Sequence, residues 1–81
     1  ITEGAGSKVI IYPNPVADDL FIQHGGDVID QLEINDMRGR TLLLRKGFRE
    51  ASVNVSRFVP GPYLLRATIK GETRVLKFVK K

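Results

Sequence analysis

The sequence contains no cysteine and no tryptophan, and only one histidine and one methionine. Without cysteine there is no disulfide to staple a small fold and no thiolate to ligate a metal or act as a nucleophile, and the redox compartment stays undecided. No apolar run approaches the ~20 residues that cross a bilayer as a helix. No stretch has the charged start, apolar middle and cleavage site of a secretion leader, so if the protein is exported, its N-terminal signal is expected outside these residues. The 81 residues are read as one domain. A chain of that size buries only roughly 60% of its unfolded surface, which leaves no room for a deep cleft between lobes.

Catalytic constellations are equally scarce. There is no glycine-rich phosphate loop, no paired acid and base and no nucleophile elbow. His24 stands beside Gly25 and Gly26 with no partner at metal-ligand spacing and no serine placed near it, so it is read as a loop histidine without a role. Asp18, Asp19, Asp27 and Asp30 offer the oxygens calcium prefers but lack the spacing of a calcium loop. Asn54-Val55-Ser56 matches a glycosylation acceptor, but inside a predicted strand. No metal, cofactor or enzymatic activity is expected. The net charge of +4 is modest and its cations are spread along the chain, so nucleic acid is not an expected partner.

What is present is alternation. Residues 32–44 read as a hairpin: Leu32 and Ile34 alternate with Glu33 and Asn35, the period of a strand with one buried face. Asp36-Met37-Arg38-Gly39 then reads as a turn, with Asp36 accepting from the backbone ahead of it and Gly39 taking a positive φ. The returning arm from Arg40 places Leu42 and Leu44 on one face and Leu43 on the other. A hairpin alone is marginal in water and needs a second layer.

Other strands are expected over residues 8–12, 18–23, 51–55, 64–70 and 73–79. Residues 1–7, small and polar, read as a linker, leaving residues 8–81 as the folded domain. Pro13-Asn14-Pro15 removes two amide donors and ends strand pairing there unless it lies at an edge. Residues 56–59 allow at most one helical turn. Phe58-Val59-Pro60-Gly61-Pro62-Tyr63 fits a tyrosine corner, in which the Tyr63 hydroxyl folds back to an upstream backbone group. In the last strand Leu76 and Phe78 point inward and Lys77 outward, and its lysines discourage sheet-to-sheet association if it is an edge. About seven short strands indicate an all-β, immunoglobulin-like antiparallel β-sandwich.

Together, Tyr12-Pro13-Asn14-Pro15, Asp18-Asp19-Leu20-Phe21-Ile22, Ile34-Asn35-Asp36-Met37-Arg38-Gly39-Arg40, the Phe58 to Arg66 stretch with its Gly61-Pro62-Tyr63, and Lys77-Phe78-Val79-Lys80-Lys81 resemble the C-terminal sorting domain of the type IX (Por) secretion system of Bacteroidota. The resemblance runs from Tyr12 to Lys81, with Pro62 a less usual filler of the Gly-x-Tyr spacing. It implies a signal and no enzyme: a domain attached to upstream cargo, in transit through the periplasm and recognised by the outer-membrane translocon. A surface sortase then removes it and joins the cargo to anionic lipopolysaccharide, so that the protein ends at the cell surface or outside the cell. By the same resemblance Gly61, Tyr63, Lys77, Phe78, Lys80 and Lys81 belong to the region translocation depends on and the cut falls in or before residues 1–7, while Pro13, Asn14, Pro15, Asp36, Gly39 and Arg40 are read as structural.

Physically, a basic last strand offers an edge or a terminal lysine pair to a receptor groove, and an exposed edge also permits a weak homodimer. The alternative is an immunoglobulin-like accessory module that binds carbohydrate or protein, because sandwich folds host many roles.

Overall fold

The computed structural model describes residues 9–81. The expected linker over residues 1–7, and Lys8 of the expected first strand, lie outside the described residues. Among the described residues there are seven strands and no helix: β1 (Ile10–Tyr12), β2 (Asp19–Gln23), β3 (Ile29–Asp36), β4 (Thr41–Phe48), β5 (Ser52–Asn54), β6 (Gly61–Ile69) and β7 (Glu72–Lys80). They form two antiparallel sheets, one in the order β1-β2-β5 and the other β4-β3-β6-β7. The architecture is the immunoglobulin-like sandwich that the alternation indicates.

The core follows from the period of two. Leu20 and Ile22 of β2, Leu32 and Ile34 of β3, and Tyr63, Leu65, Ala67 and Ile69 of β6 are all buried, as are Val53 of β5 and Phe78 of β7. Register aligns them across strands, with Ile34 opposite Leu65 and Leu65 opposite Leu76. Each fully buried aliphatic or aromatic side chain contributes about 1.5–3 kcal/mol through apolar area removed from water.

β4 departs from this plan. Only Leu43 of its three leucines packs against the core. Leu42 and Leu44 stay 38% and 48% exposed. Alternation turns Leu43 inward and Leu44, opposite Glu33, outward, while a bulge isolates Leu42: Ile34 pairs with Leu43 and Asn35 with Thr41, so Leu42 has no opposite residue.

The expected strand over residues 64–70 begins earlier, at Gly61, despite Pro62. Pro62 stands opposite Val79, whose amide is turned away from β6 toward Asn14. The nitrogen of Pro62 therefore faces the β3 side, where the ladder has already ended at Asp36 opposite Tyr63. No hydrogen bond is lost there. Residues 56–59 form a turn, not helix, closed by the Phe58 amide on the Val55 carbonyl at 3.0 Å.

Candidate functional site

The β3–β4 turn is built by one carboxylate. Oδ1 of Asp36 accepts from the amides of Arg38 at 3.0 Å and Arg40 at 2.9 Å, and its Oδ2 accepts from Nε of Arg40 at 3.1 Å. The backbone closes the same turn, with Gly39 N donating to Asp36 O and Asp36 N to Arg40 O, both at 3.0 Å. Gly39 has φ +89°, a conformation that L side chains avoid. The Arg40 amide above all, with that of Arg38 and the Arg40 charge, holds the Asp36 carboxyl below its ordinary range.

The next strand along carries the corner. Tyr63 sends its hydroxyl back to the carbonyl of Val59, the geometry of a tyrosine corner. Its ring stacks on Phe78 at 5.6 Å and tilts against Phe58 at 5.2 Å. Gly61, two residues before it, has φ +145°, and no atom would meet a Cβ there within 4 Å. Backbone conformation, not space, therefore selects glycine at this position.

The end of β7 is closed from outside by the proline segment. The Asn14 side chain acts as a piece of strand: its Oδ1 accepts from Val79 N at 2.9 Å and its Nδ2 donates to Lys77 O at 3.3 Å. Val16, fully buried, continues the pairing as its amide donates to Val79 O and its carbonyl accepts from Lys81 N, both at 2.8 Å. Pro13 and Pro15, which have no amides to pair, bracket the asparagine and present it to the edge. Val16 was not singled out by sequence reasoning. A buried valine directly after two prolines gave no periodic signal.

This closure corrects two expectations about the basic last strand. Strand addition at its end is precluded, because Asn14 and Val16 already occupy that edge. Nor is there a terminal lysine pair to present. Lys80 points inward opposite Gly61, is only 8% exposed, and donates from Nζ to the Lys81 carbonyl at 3.0 Å. Lys77 and Lys81 are the exposed cations of the segment.

Register gathers these dispersed residues. Asp36 lies opposite Tyr63, Tyr63 opposite Phe78, and Gly61 opposite Lys80. One end of the four-stranded sheet thus carries, side by side, the β3–β4 turn, the tyrosine corner, the last strand and its Asn14 closure. A groove between turn and corner is lined by Asp36, Arg38, Arg40, Val59 and Tyr63. Nearby, on the outer face, Asn35 is buried, donating to Glu33 at 2.9 Å and Thr41 at 3.1 Å while accepting from Nε of Arg66 at 3.0 Å. The Thr41 hydroxyl, then Asn35 and the Arg66 charge, hold the Glu33 carboxyl below its ordinary value.

Other candidates separate. His24 is buried and not idle: Nδ1 lies in hydrogen-bond contact with Asp27 O and Nε2 lies 3.2 Å from Glu50 O, tying the β2–β3 and β4–β5 connections together. A role in packing replaces the expectation of none. Asp19 accepts from Asn54 at 3.0 Å and Asp30 from the Lys70 amide at 3.0 Å, while Asp27 lies 4.0 Å from Nζ of Lys70. Asn54 spends its amide oxygen on the amide and hydroxyl of Ser56.

Against known families, the model described as secretion system C-terminal sorting domain matches residues 10–81, all seven strands. The chain belongs to this family. Comparison with curated proteins gives no match. As a type IX sorting domain it is the cargo tail that engages the secretion machinery, and its family is one of export signals directed to the cell surface or the extracellular space. No helix among the described residues is long and apolar enough to cross a membrane.

Proposed function

We propose that this sorting domain works as a folded surface: it carries an upstream cargo through the periplasm to the type IX translocon, and a surface sortase then removes it with transfer of the cargo to anionic lipopolysaccharide. Residues 8–81 are the signal. The cut falls in or before residues 1–7, which act as the linker to cargo. The recognised surface is the end of the sheet where Gly61, Lys77 and Lys81 reach solvent; buried Tyr63, Phe78 and Lys80 support it from within, and Pro13, Asn14, Pro15, Asp36, Gly39 and Arg40 hold it in shape.

The observation that supports this reading is the convergence itself. Segments far apart in the chain, Asn14 and Lys77 among them, become neighbours only once both sheets have formed. A linear tail peptide would have no use for Asn14.

The test is a Sec-exported reporter fused upstream of residues 1–81 in a type IX-competent bacterium, beside the same fusion lacking residues 61–81 and a third carrying Ile34→Asp. A charge at fully buried Ile34 unfolds the domain while leaving residues 61–81 intact. Surface reporter from the first fusion alone is expected. Normal export of the Ile34→Asp fusion would sink the folded-surface reading. Periplasmic retention of all three would remove sorting and favour an accessory binding module.

A further inference from the structure

The four-stranded sheet has a second edge, β4, and among the described residues no backbone hydrogen bond reaches it from any strand but β3. We propose that this edge is a strand-addition site for an extended acidic peptide segment of a partner protein. The proposal goes beyond the sorting reading and is tested on the purified domain, without passing through export.

An unpaired strand edge is a row of amides and carbonyls that any extended segment can complete, so specificity has to come from side chains. Here they are cationic. Arg45 and Lys46 lie within β4, with Arg38 and Arg40 before it and Arg49 just after, and all of them are exposed. The groove between turn and corner reaches the start of β4 at Leu42, with Asp36, Arg38, Arg40 and Arg57 in its lining, and another groove along the strand is lined by Arg45, Lys46 and Glu50. One of these cations, Arg40, is already ion-paired with Asp36 at 3.1 Å, so the charge that sets specificity along the edge is that of Arg45 and Lys46, with Arg38 and Arg49 beyond its two ends.

The same cations decide between occupants. A second copy pairing β4 to β4 would set arginine and lysine against arginine and lysine, which is destabilising for directly opposed residues. An acidic segment gains where a second copy loses. Register also sets a pattern for it. Arg45, opposite Leu32, lies on the inner face of the sheet, whereas Leu44 and Lys46, opposite Glu33 and Gln31, lie on the outer. The matching strand carries adjacent acids opposite Arg45 and Lys46 and an apolar residue opposite Leu44, which is 48% exposed. The bulge at Leu42 ends regular pairing on that side, so the usable edge is the part of β4 beyond it.

The probe is a short capped peptide of valine and threonine with two adjacent glutamates, titrated into the isotopically labelled 81-residue chain. Amide shifts and slowed hydrogen exchange confined to β4 are expected. Arg45→Glu combined with Lys46→Glu, both at exposed sites and with unchanged circular dichroism, weakens binding by about tenfold or more. The peptide with lysines in place of glutamates binds that variant and not the parent. N-methylation of alternate peptide amides, which keeps charge and removes donors, abolishes binding. Shifts centred on β7, no shifts at all, equal binding of the N-methylated peptide, dextran sulfate competing as well as the peptide, or concentration-dependent dimers through β4 would each overturn the proposal.

Discussion

At the β7 edge of the four-stranded sheet, Asn14 and Val16 take up the backbone groups of Lys77, Val79 and Lys81. At the β4 edge, nothing among the described residues plays that part. Both edges belong to one small sheet, and the contrast shows two solutions to one hazard. An exposed row of amides and carbonyls invites pairing with any passing strand. The end of β7 removes the row by filling it from within the chain. β4 leaves it, and limits who can use it by a bulge at Leu42 and by cations. The filled end of β7 is therefore fixed in shape and acts through its side chains, whereas the β4 edge remains chemically available.

The largest test of this contrast is apolar. Phe78→Ala removes a fully buried ring stacked on Tyr63, and a loss of about 3–5 kcal/mol in thermal or denaturant unfolding is expected. Leu44→Ala at the open edge deletes a half-exposed side chain and is expected to stay within about 0.5 kcal/mol. Comparable losses from the two would erase the difference between the edges.

Asn14→Ala comes next. It leaves Val79 N and Lys77 O without their partner, with an expected cost of about 1 kcal/mol for exposed neutral hydrogen bonds. Native-state hydrogen exchange separates this from a general loosening, since the Val79 amide should exchange faster while the amides that join β3 to β6 keep their protection. Uniform acceleration would mean that Asn14 supports the whole sandwich and not one edge.

A smaller gain is expected at the β6–β7 hairpin. Its two-residue loop places Lys70 at φ +53° and Gly71 at φ +81°, the pattern of a type I′ turn, for which asparagine is better suited than lysine at the first position. Lys70→Asn keeps the backbone amide that donates to Asp30 and should stabilise by about 0.5 kcal/mol. A loss instead would mean that the Lys70 side chain, 4.0 Å from Asp27, matters more than its backbone conformation.

These cases also show what reading the chain as text can and cannot reach. Alternation exposed the inner faces of β2, β3 and β6 because burial on one face writes itself at a period of two. Asp36, Gly39 and Tyr63 were readable because turn and corner chemistry depends on residues close in sequence. Asn14 bonded to Lys77 has no such local trace, and the pairing exists only after two sheets close. Lys80 misleads for a related reason: in a terminal basic run it reads as exposed, yet alternation from Phe78 turns it inward opposite Gly61. The bulge that leaves Leu42 without an opposite residue is likewise a product of pairing and not of composition.

Acid gives the finest discrimination between the two edges, because different chemistry holds each. The turn that leads into β4 depends on the Asp36 carboxylate, whose proton affinity is lowered in the fold by the Arg40 amide first of all. A lowered folded value means that the charged form is the one the structure stabilises. Its contribution is complete above the unfolded value of about 3.9 and shrinks as pH falls through that value toward the folded one. Glu33, lowered chiefly by the Thr41 hydroxyl, acts with the same sign beside the same hairpin. The β7 edge is held by the neutral amide of Asn14 and by backbone, none of which titrates in that range. Below about pH 4, hydrogen-exchange protection at the Arg38 and Arg40 amides should therefore decline while protection at Val79 stays level. Asp36→Asn, which keeps an acceptor oxygen without a titrating group, should flatten the decline at Arg38 and Arg40. Equal acid sensitivity at Val79 would mean that the two edges respond as one unit, and that the division drawn from their hydrogen bonds does not extend to their stability.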